Sequence, residues 1–176
     1  MIETERLILR RFQRPEDRDA FALLATDHEV MQWLGGVLTR PEADARIDRV
    51  EASWEVNGYG RYLVERRSDG AFLGWCGVMP AFETLPIAGA PEMGWRLVRD
   101  AWGEGYATEA AAAAIADGFQ RMGFAQILAF TNPTNLRSQA VMRRLGMSRR
   151  EELDFDHPSE PEDSPTRRSV VFAIRP

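Results

Sequence analysis

Trp102-Gly103-Glu104-Gly105-Tyr106-Ala107 is a glycine turn that runs directly into Thr108–Ile115, an alanine-rich stretch of high helix propensity. A turn of this kind exposes backbone N–H groups at a helix start, and its glycines let an anion approach closely. It can therefore hold a phosphate without any basic side chain. Two familiar phosphate motifs do not fit. A P-loop needs Lys and then Ser or Thr after its last glycine, whereas Gly105 is followed by Tyr106. A dinucleotide fingerprint needs a small residue where Thr108 stands, together with a run of βα repeats that the chain lacks. The alternative is that the glycines only make a tight turn.

A second cluster is Thr131-Asn132-Pro133-Thr134-Asn135-Leu136-Arg137-Ser138, followed by Met142-Arg143-Arg144-Leu145-Gly146-Met147. Taken alone, Asn135 and Ser138 are ordinary residues for capping a helix start. His157, an imidazole that titrates near neutrality, is either a base or a surface residue of its loop. Glu92, a carboxylate at a strand start, is a partner for Arg96 or for a solvent cation. Cys76 lies in an apolar strand without a basic neighbour, which reads as a buried structural thiol. With this one cysteine and only His28 and His157, a zinc site would have to lean on carboxylates, so no metal is expected.

Strands and helices must place these groups. Apolar and charged residues roughly alternate over Arg6–Phe12, as in a first strand. Pro15 opens a helix carrying Phe21, Leu24 and His28. A second helix starts after Thr39, with Pro41 at its first position and Ile47, Val50 and Trp54 facing inward. Tyr62–Glu65 and Phe72–Val78 form a hairpin closed at Ser68-Asp69-Gly70. A loop rich in Pro and Gly, Pro80–Pro91, leads into a strand over Glu92–Val98. The helix after the glycine turn stops at Gly123. Gln126–Thr131 is a strand, Thr134–Leu145 a short helix, Glu151–Arg168 a long polar loop, and Ser169–Ile174 a last strand.

Length and charge bound the reading. A chain of 176 residues suits one domain, and 44% hydrophobic with 28% charged residues is ordinary globular usage. With 22 basic and 27 acidic residues the net charge is −5, which gives no footprint for nucleic acid. The longest apolar run, Ala110–Ala116, falls far short of the ~20 residues that cross a bilayer, and no leader shows, so no membrane partner is expected. A lone cysteine fits a cytoplasmic setting.

In this order and spacing the two clusters resemble the GNAT superfamily of acyl-CoA N-acyltransferases, and within it the RimJ/RimL branch of ribosomal-protein N-terminal acetyltransferases. The likeness covers nearly the whole chain. Thr4–Arg10 resembles the opening strand, Phe72–Gly77 the central hairpin and Glu92–Leu97 the fourth strand. Trp102–Ala110 is similar to the pyrophosphate turn, and Asn135–Met147 to the last helix. The resemblance implies an α/β (α+β) fold as a single domain, residues 1–176, with helices on both faces of a mostly antiparallel mixed sheet whose fourth and fifth strands splay.

It also implies a site. Trp102, Gly103, Glu104, Gly105, Tyr106, Ala107 and Thr108 would wrap the CoA pyrophosphate. Leu97, Val98 and Arg99 would pair with the pantetheine arm, and Asn135 would hold the pantetheine or the acetyl group. A tyrosine that protonates the departing thiolate usually stands at the place of Met142. The branch instead resembles this chain in carrying Ser138 one turn earlier, its proposed acid. Trp102 replaces the Arg or Gln common elsewhere in the superfamily. Glu92 stands where several members carry a catalytic glutamate, leaving Glu92, His157 or water as the base.

The implied activity is acetyl transfer from acetyl-CoA to a primary amine through a ternary complex, by a monomer or homodimer. A protein N-terminal α-amine is favoured, because deprotonating a lysine costs ~3 kcal/mol more for a pKa difference of ~2.4. The alternatives are a small-molecule amine such as an antibiotic or polyamine, and an acyl-CoA-binding module without catalysis, as the absent tyrosine suggests. Glu151–Asp163 carries seven carboxylates and is expected to draw in cationic acceptors, unless it is simply a solvated loop.

Overall fold

The computed structural model describes residues 1–176. Leu7 and Leu9 are fully buried while Ile8 and Arg10 keep partial exposure, the two-residue alternation of a strand with one face in a core. This strand, β2 (Leu7–Arg10), follows a short β1 (Ile2–Glu3) and pairs with it antiparallel. The sheet continues with β3 (Arg61–Arg66), β4 (Phe72–Pro80), β5 (Pro91–Leu97) and β6 (Ile127–Thr131). It closes with β7 (Ser148–Arg149), β8 (Phe155–Asp156) and β9 (Arg168–Ile174). The spatial order is β1-β2-β3-β4-β5-β6-β9-β7, with β8 against β9.

Every pairing is antiparallel except one. β5 and β6 run parallel and share a single Cα pair, Glu92 with Leu128. No further pair follows, so the two strands part beyond Glu92. This is the splay expected from the resemblance. The mixed sheet with helices on both faces likewise agrees with the expected fold.

The helices are α1 (Pro15–Thr26), α2 (His28–Met31), α3 (Arg40–Asn57), α4 (Tyr106–Gln120) and α5 (Leu136–Arg144). Ala110, Ala111, Ala114 and Ile115 of α4 are buried, and these mostly small side chains seat the helix against Cys76, Val78 and Met93. The opposite face of the sheet lies under α1 and α3, where Phe21, Ala43 and Ile47 meet Leu63 and the edge of Trp75.

Several details differ from the sequence reading. His28 opens a separate helix, because the Asp27 side chain accepts from the N–H groups of Glu29 and Val30 and restarts the backbone there. Pro41 stands second in α3, after Arg40. The first strand ends at Arg10, although Phe12 is still buried. The polar loop before β9 contains a 3-10 turn, Glu151–Leu153, and β8, since Phe155 pairs with Ser169 and fills a core gap beside Phe130.

Candidate functional site

The glycine turn is built for an open helix start. Gly103 and Gly105 hold φ of 84° and 82°, left-handed values that suit glycine, and nothing lies within 4 Å of a Cβ placed at Gly103. Gly105 is the N-cap of α4 and no side chain caps that end. The first N–H groups of α4 therefore point out of the helix without an intrahelical acceptor. Arg6 braces the turn: its Nη1 donates to the Glu104 carbonyl at 2.9 Å, and its guanidinium pairs with Glu109 and lies 4.6 Å from the Tyr106 ring centroid. Trp102 folds back the other way, with Nε1 donating to the Leu97 carbonyl at 2.9 Å. Beside the turn, a groove of about 420 Å³ runs between α4 and α5, lined by Thr108, Ala112, Ile115, Phe119 and Leu145.

The free edge of β5 adjoins this turn. The Val98 N–H donates to the Leu73 carbonyl at 2.9 Å, so Val98 is committed to β4. By the alternation of the antiparallel ladder, Leu97, the last residue of β5, turns its peptide groups away from β4, and its carbonyl accepts from Trp102 Nε1. Arg99 lies beyond the ladder in a 3-10 turn, Arg99–Ala101, and its carbonyl accepts from the Trp102 N–H. The Arg99 side chain is elsewhere, paired with Asp27 and Glu29.

At the start of α5 the two candidate residues have separate tasks. Asn135 is the N-cap, its Oδ1 accepting from the Ser138 N–H at 3.2 Å, which leaves its Nδ2 unengaged. The Ser138 hydroxyl makes no hydrogen bond to the protein and is half-buried. Met142 is buried in the core and so takes no part in the cleft.

Glu92 is buried at the start of β5, and its partner is Arg61 rather than Arg96. Arg61 Nη2 donates to Glu92 Oε2 at 2.5 Å. The register explains the choice: Arg61, Gly77 and Gly94 form a row across β3, β4 and β5, so the guanidinium crosses the ladder above residues without side chains. A Cβ at Gly94 would stand 1.8 Å from Arg61 Nη1.

His157 is lodged beside Phe130 and Phe155, with ring centroids 6.3 and 6.4 Å away, and burial holds its pKa below the ordinary value. Burial also pushes the Cys76 thiol up to about 12, so it stays protonated and unreactive at neutral pH. Three carboxylates of the loop pair with arginines, Asp154 with Arg149, Asp156 with Arg168 and Glu152 with Arg150, while Glu160 accepts from Ser164 and Thr166. Arginines thus match part of the negative charge that was expected to draw in cations. No cluster of His, Cys, Asp and Glu could hold a metal ion, and no helix is long and apolar enough to cross a membrane.

A sequence profile of the acetyltransferase (GNAT) domain matches residues 6–148, which spans the braced turn, the splayed strands and α5. The chain belongs to the GNAT acetyltransferase family. An uncharacterized protein of Bacillus subtilis (strain 168), YkkB, is 32% identical over 149 residues, covering 82% of this chain and 83% of its own. The FsC-acetyl coenzyme A-N(2)-transacetylase of Aspergillus fumigatus is 28% identical over 144 residues, 76% of this chain and 59% of that protein. Among solved structures, an acetyltransferase from Agrobacterium tumefaciens str. C58 superposes with a TM-score of 0.81 at 24% identity, covering 99% of this chain and 94% of that one. RimL, a ribosomal L7/L12 α-N-protein acetyltransferase in complex with coenzyme A, superposes at 0.76 with 16% identity, covering 98% and 95%. At these identities the structures share the fold.

For a GNAT acetyltransferase, acetyl-CoA is the acyl donor, and the open turn and free β5 edge fit it. Sequence reasoning missed Arg6 and Arg61, whose partners lie 103 and 31 residues away. The sequence signal for Arg61 was Glu92 itself, a carboxylate on a buried strand that needed a cation from somewhere.

Proposed function

We propose that this protein is an acetyl-CoA-dependent N-acetyltransferase of a primary amine, working by direct attack within a ternary complex. The observation that carries the reading is the conjunction of an uncapped, glycine-lined helix start with an unpaired β5 edge, one site for pyrophosphate and one for an amide-bearing arm. The N–H groups of Tyr106, Ala107 and Thr108, together with the turn Trp102–Gly105, bind the pyrophosphate. The N–H groups of Leu97 and Arg99, whose carbonyls are taken by Trp102, donate to the pantetheine arm, and Asn135 Nδ2 donates to the arm or to the acetyl oxygen.

A neutral amine nitrogen then attacks the thioester carbonyl carbon. The C–N bond forms and the C–S bond breaks. The ammonium proton leaves toward Glu92, through water, and the thiolate takes a proton through Ser138, which regains one from water as Glu92 returns its proton to solvent. Holding both reactants in one cleft supplies much of the acceleration. Cys76, buried and protonated, carries no acyl intermediate.

An α-amine is the favoured acceptor, since it needs about 3 kcal/mol less to deprotonate than a lysine. The RimJ/RimL-like sequence features support a protein N-terminus, as does the fold shared with RimL, a ribosomal L7/L12 α-N-protein acetyltransferase. The Aspergillus transacetylase supports the second reading, a small-molecule amine. Release of CoA thiol with a peptide α-amine, a blocked-N-terminus lysine peptide and a small-amine panel tests the proposal. The peptide α-amine is expected to give the highest kcat/KM, and equal or better use of the lysine peptide contradicts that preference.

A further inference from the structure

Four arginines converge on the sheet face that carries Glu92, and only one of them has a carboxylate partner. Arg61 pairs with Glu92 and lies 4.4 Å from the Trp75 ring centroid. Arg96, directly opposite Trp75 in the β4–β5 register, lies 5.2 Å from the same ring. It is only 5% exposed and forms no ion pair; its Nη1 meets Met31 Sδ at 3.0 Å and its Nε has no partner at all. Trp75 Nε1 is also buried without an acceptor.

Arg46 and Arg49 come from α3 and stand three residues apart, on one side of that helix. Neither forms an ion pair, and Arg49 lies 3.2 Å from the ring centroid of the half-exposed Phe82. Burial first, and then the fields of neighbouring arginines, lower Arg96 to about 9 and Arg49 to about 10. Glu42 acts on Arg46 from a distance but is held by Thr39. Arg46 is exposed and Arg49 and Phe82 are partly exposed, whereas Arg96 and Glu92 are buried.

A buried guanidinium without a counter-charge is costly, and a planar fork is the natural partner of a carboxylate. We infer that the acceptor is an amine that also carries a carboxylate, held by Arg46, Arg49 and Arg96 while its nitrogen faces Glu92. The inference rests on the acetyltransferase reading above. It reverses the cationic acceptor that the loop composition had suggested.

Two matched acceptor pairs test it. One pair is amidated peptides differing only in Asp or Asn at the second residue; the other is glycylglycine and glycylglycinamide. The measurement is kcat/KM from CoA release. In at least one pair the acid is expected to exceed its neutral partner tenfold or more, and the pair that shows this identifies a peptide or a small molecule as the source. That ratio is expected to fall toward unity in Arg49→Gln and Arg46→Gln, and to hold in Arg175→Gln, an equal loss of charge at an exposed site at the end of β9. Circular dichroism checks that the variants fold. Equal use of both members in both pairs, or a ratio that neither α3 variant changes, would overturn the inference while leaving the transferase reading intact. Acetyl-CoA binding by calorimetry with no thiol released for any of the four amines would overturn the transferase reading, and this inference with it.

Discussion

Ser138 and Asn135 divide what the sequence left ambiguous, because either residue type caps helices well. The structure gives the cap to Asn135 and leaves the Ser138 hydroxyl without a protein partner. Ser138→Ala should therefore leave α5 intact and lower kcat by roughly 10²-fold or less, with little change in acetyl-CoA affinity. Steady-state kinetics beside calorimetry separates the two, and a variant with normal kcat and weakened binding would make the serine a donor contact instead. The small expected effect follows from the leaving group, since a thiol near ~8.5 departs with modest help. The buried character of Cys76 was also legible, from its apolar strand. The partner of Glu92 was not, since it depends on which side chain crosses two glycines in a neighbouring row.

Local sequence signals set most of the elements. The hairpin turn, the glycine turn into α4 and the stop at Gly146 could all be read from propensity and punctuation. What escaped was structure made by tertiary contact: β7 and β8 are two residues each and exist because β9 offers them an edge. The glycine turn bears the donor, and Gly105→Val forces a branched side chain into φ of 82°. It should weaken acetyl-CoA binding tenfold or more, about 1.4 kcal/mol, with the circular dichroism spectrum unchanged; undiminished affinity would remove this turn from the site. At the start of α1 the buried Asp17 accepts from Arg10 and from the N–H groups of Gln13 and Arg14. Burial alone would raise its carboxyl, but these donors outweigh that and hold it below the ordinary value. The stabilisation is therefore complete above the ordinary carboxyl range near ~3.9 and is lost as pH falls through the lower folded value. Asp17→Asn should cost about 3 kcal/mol at neutral pH by denaturant titration, and the gap from the unsubstituted protein should narrow in acid.

At the scale of the molecule, the −5 net charge concealed the opposite sign on one face of the sheet. Arg46 and Arg49 sit in α3, Arg61 in β3 and Arg96 in β5, so composition averages away what the fold gathers. All 22 basic residues are arginines, and the chain therefore has no lysine ε-amine of its own to accept an acetyl group. This makes a direct measurement clean. The protein is mixed with acetyl-CoA and an acidic α-amine peptide, and CoA thiol, N-acetylated peptide and the mass of the protein are followed together. Direct transfer between splayed strands predicts equal amounts of CoA and acetylated peptide, with no acetyl group accumulating on Cys76. Thiol release without acetylated peptide, or acetyl-CoA bound with no release above the protein-free rate, would contradict it.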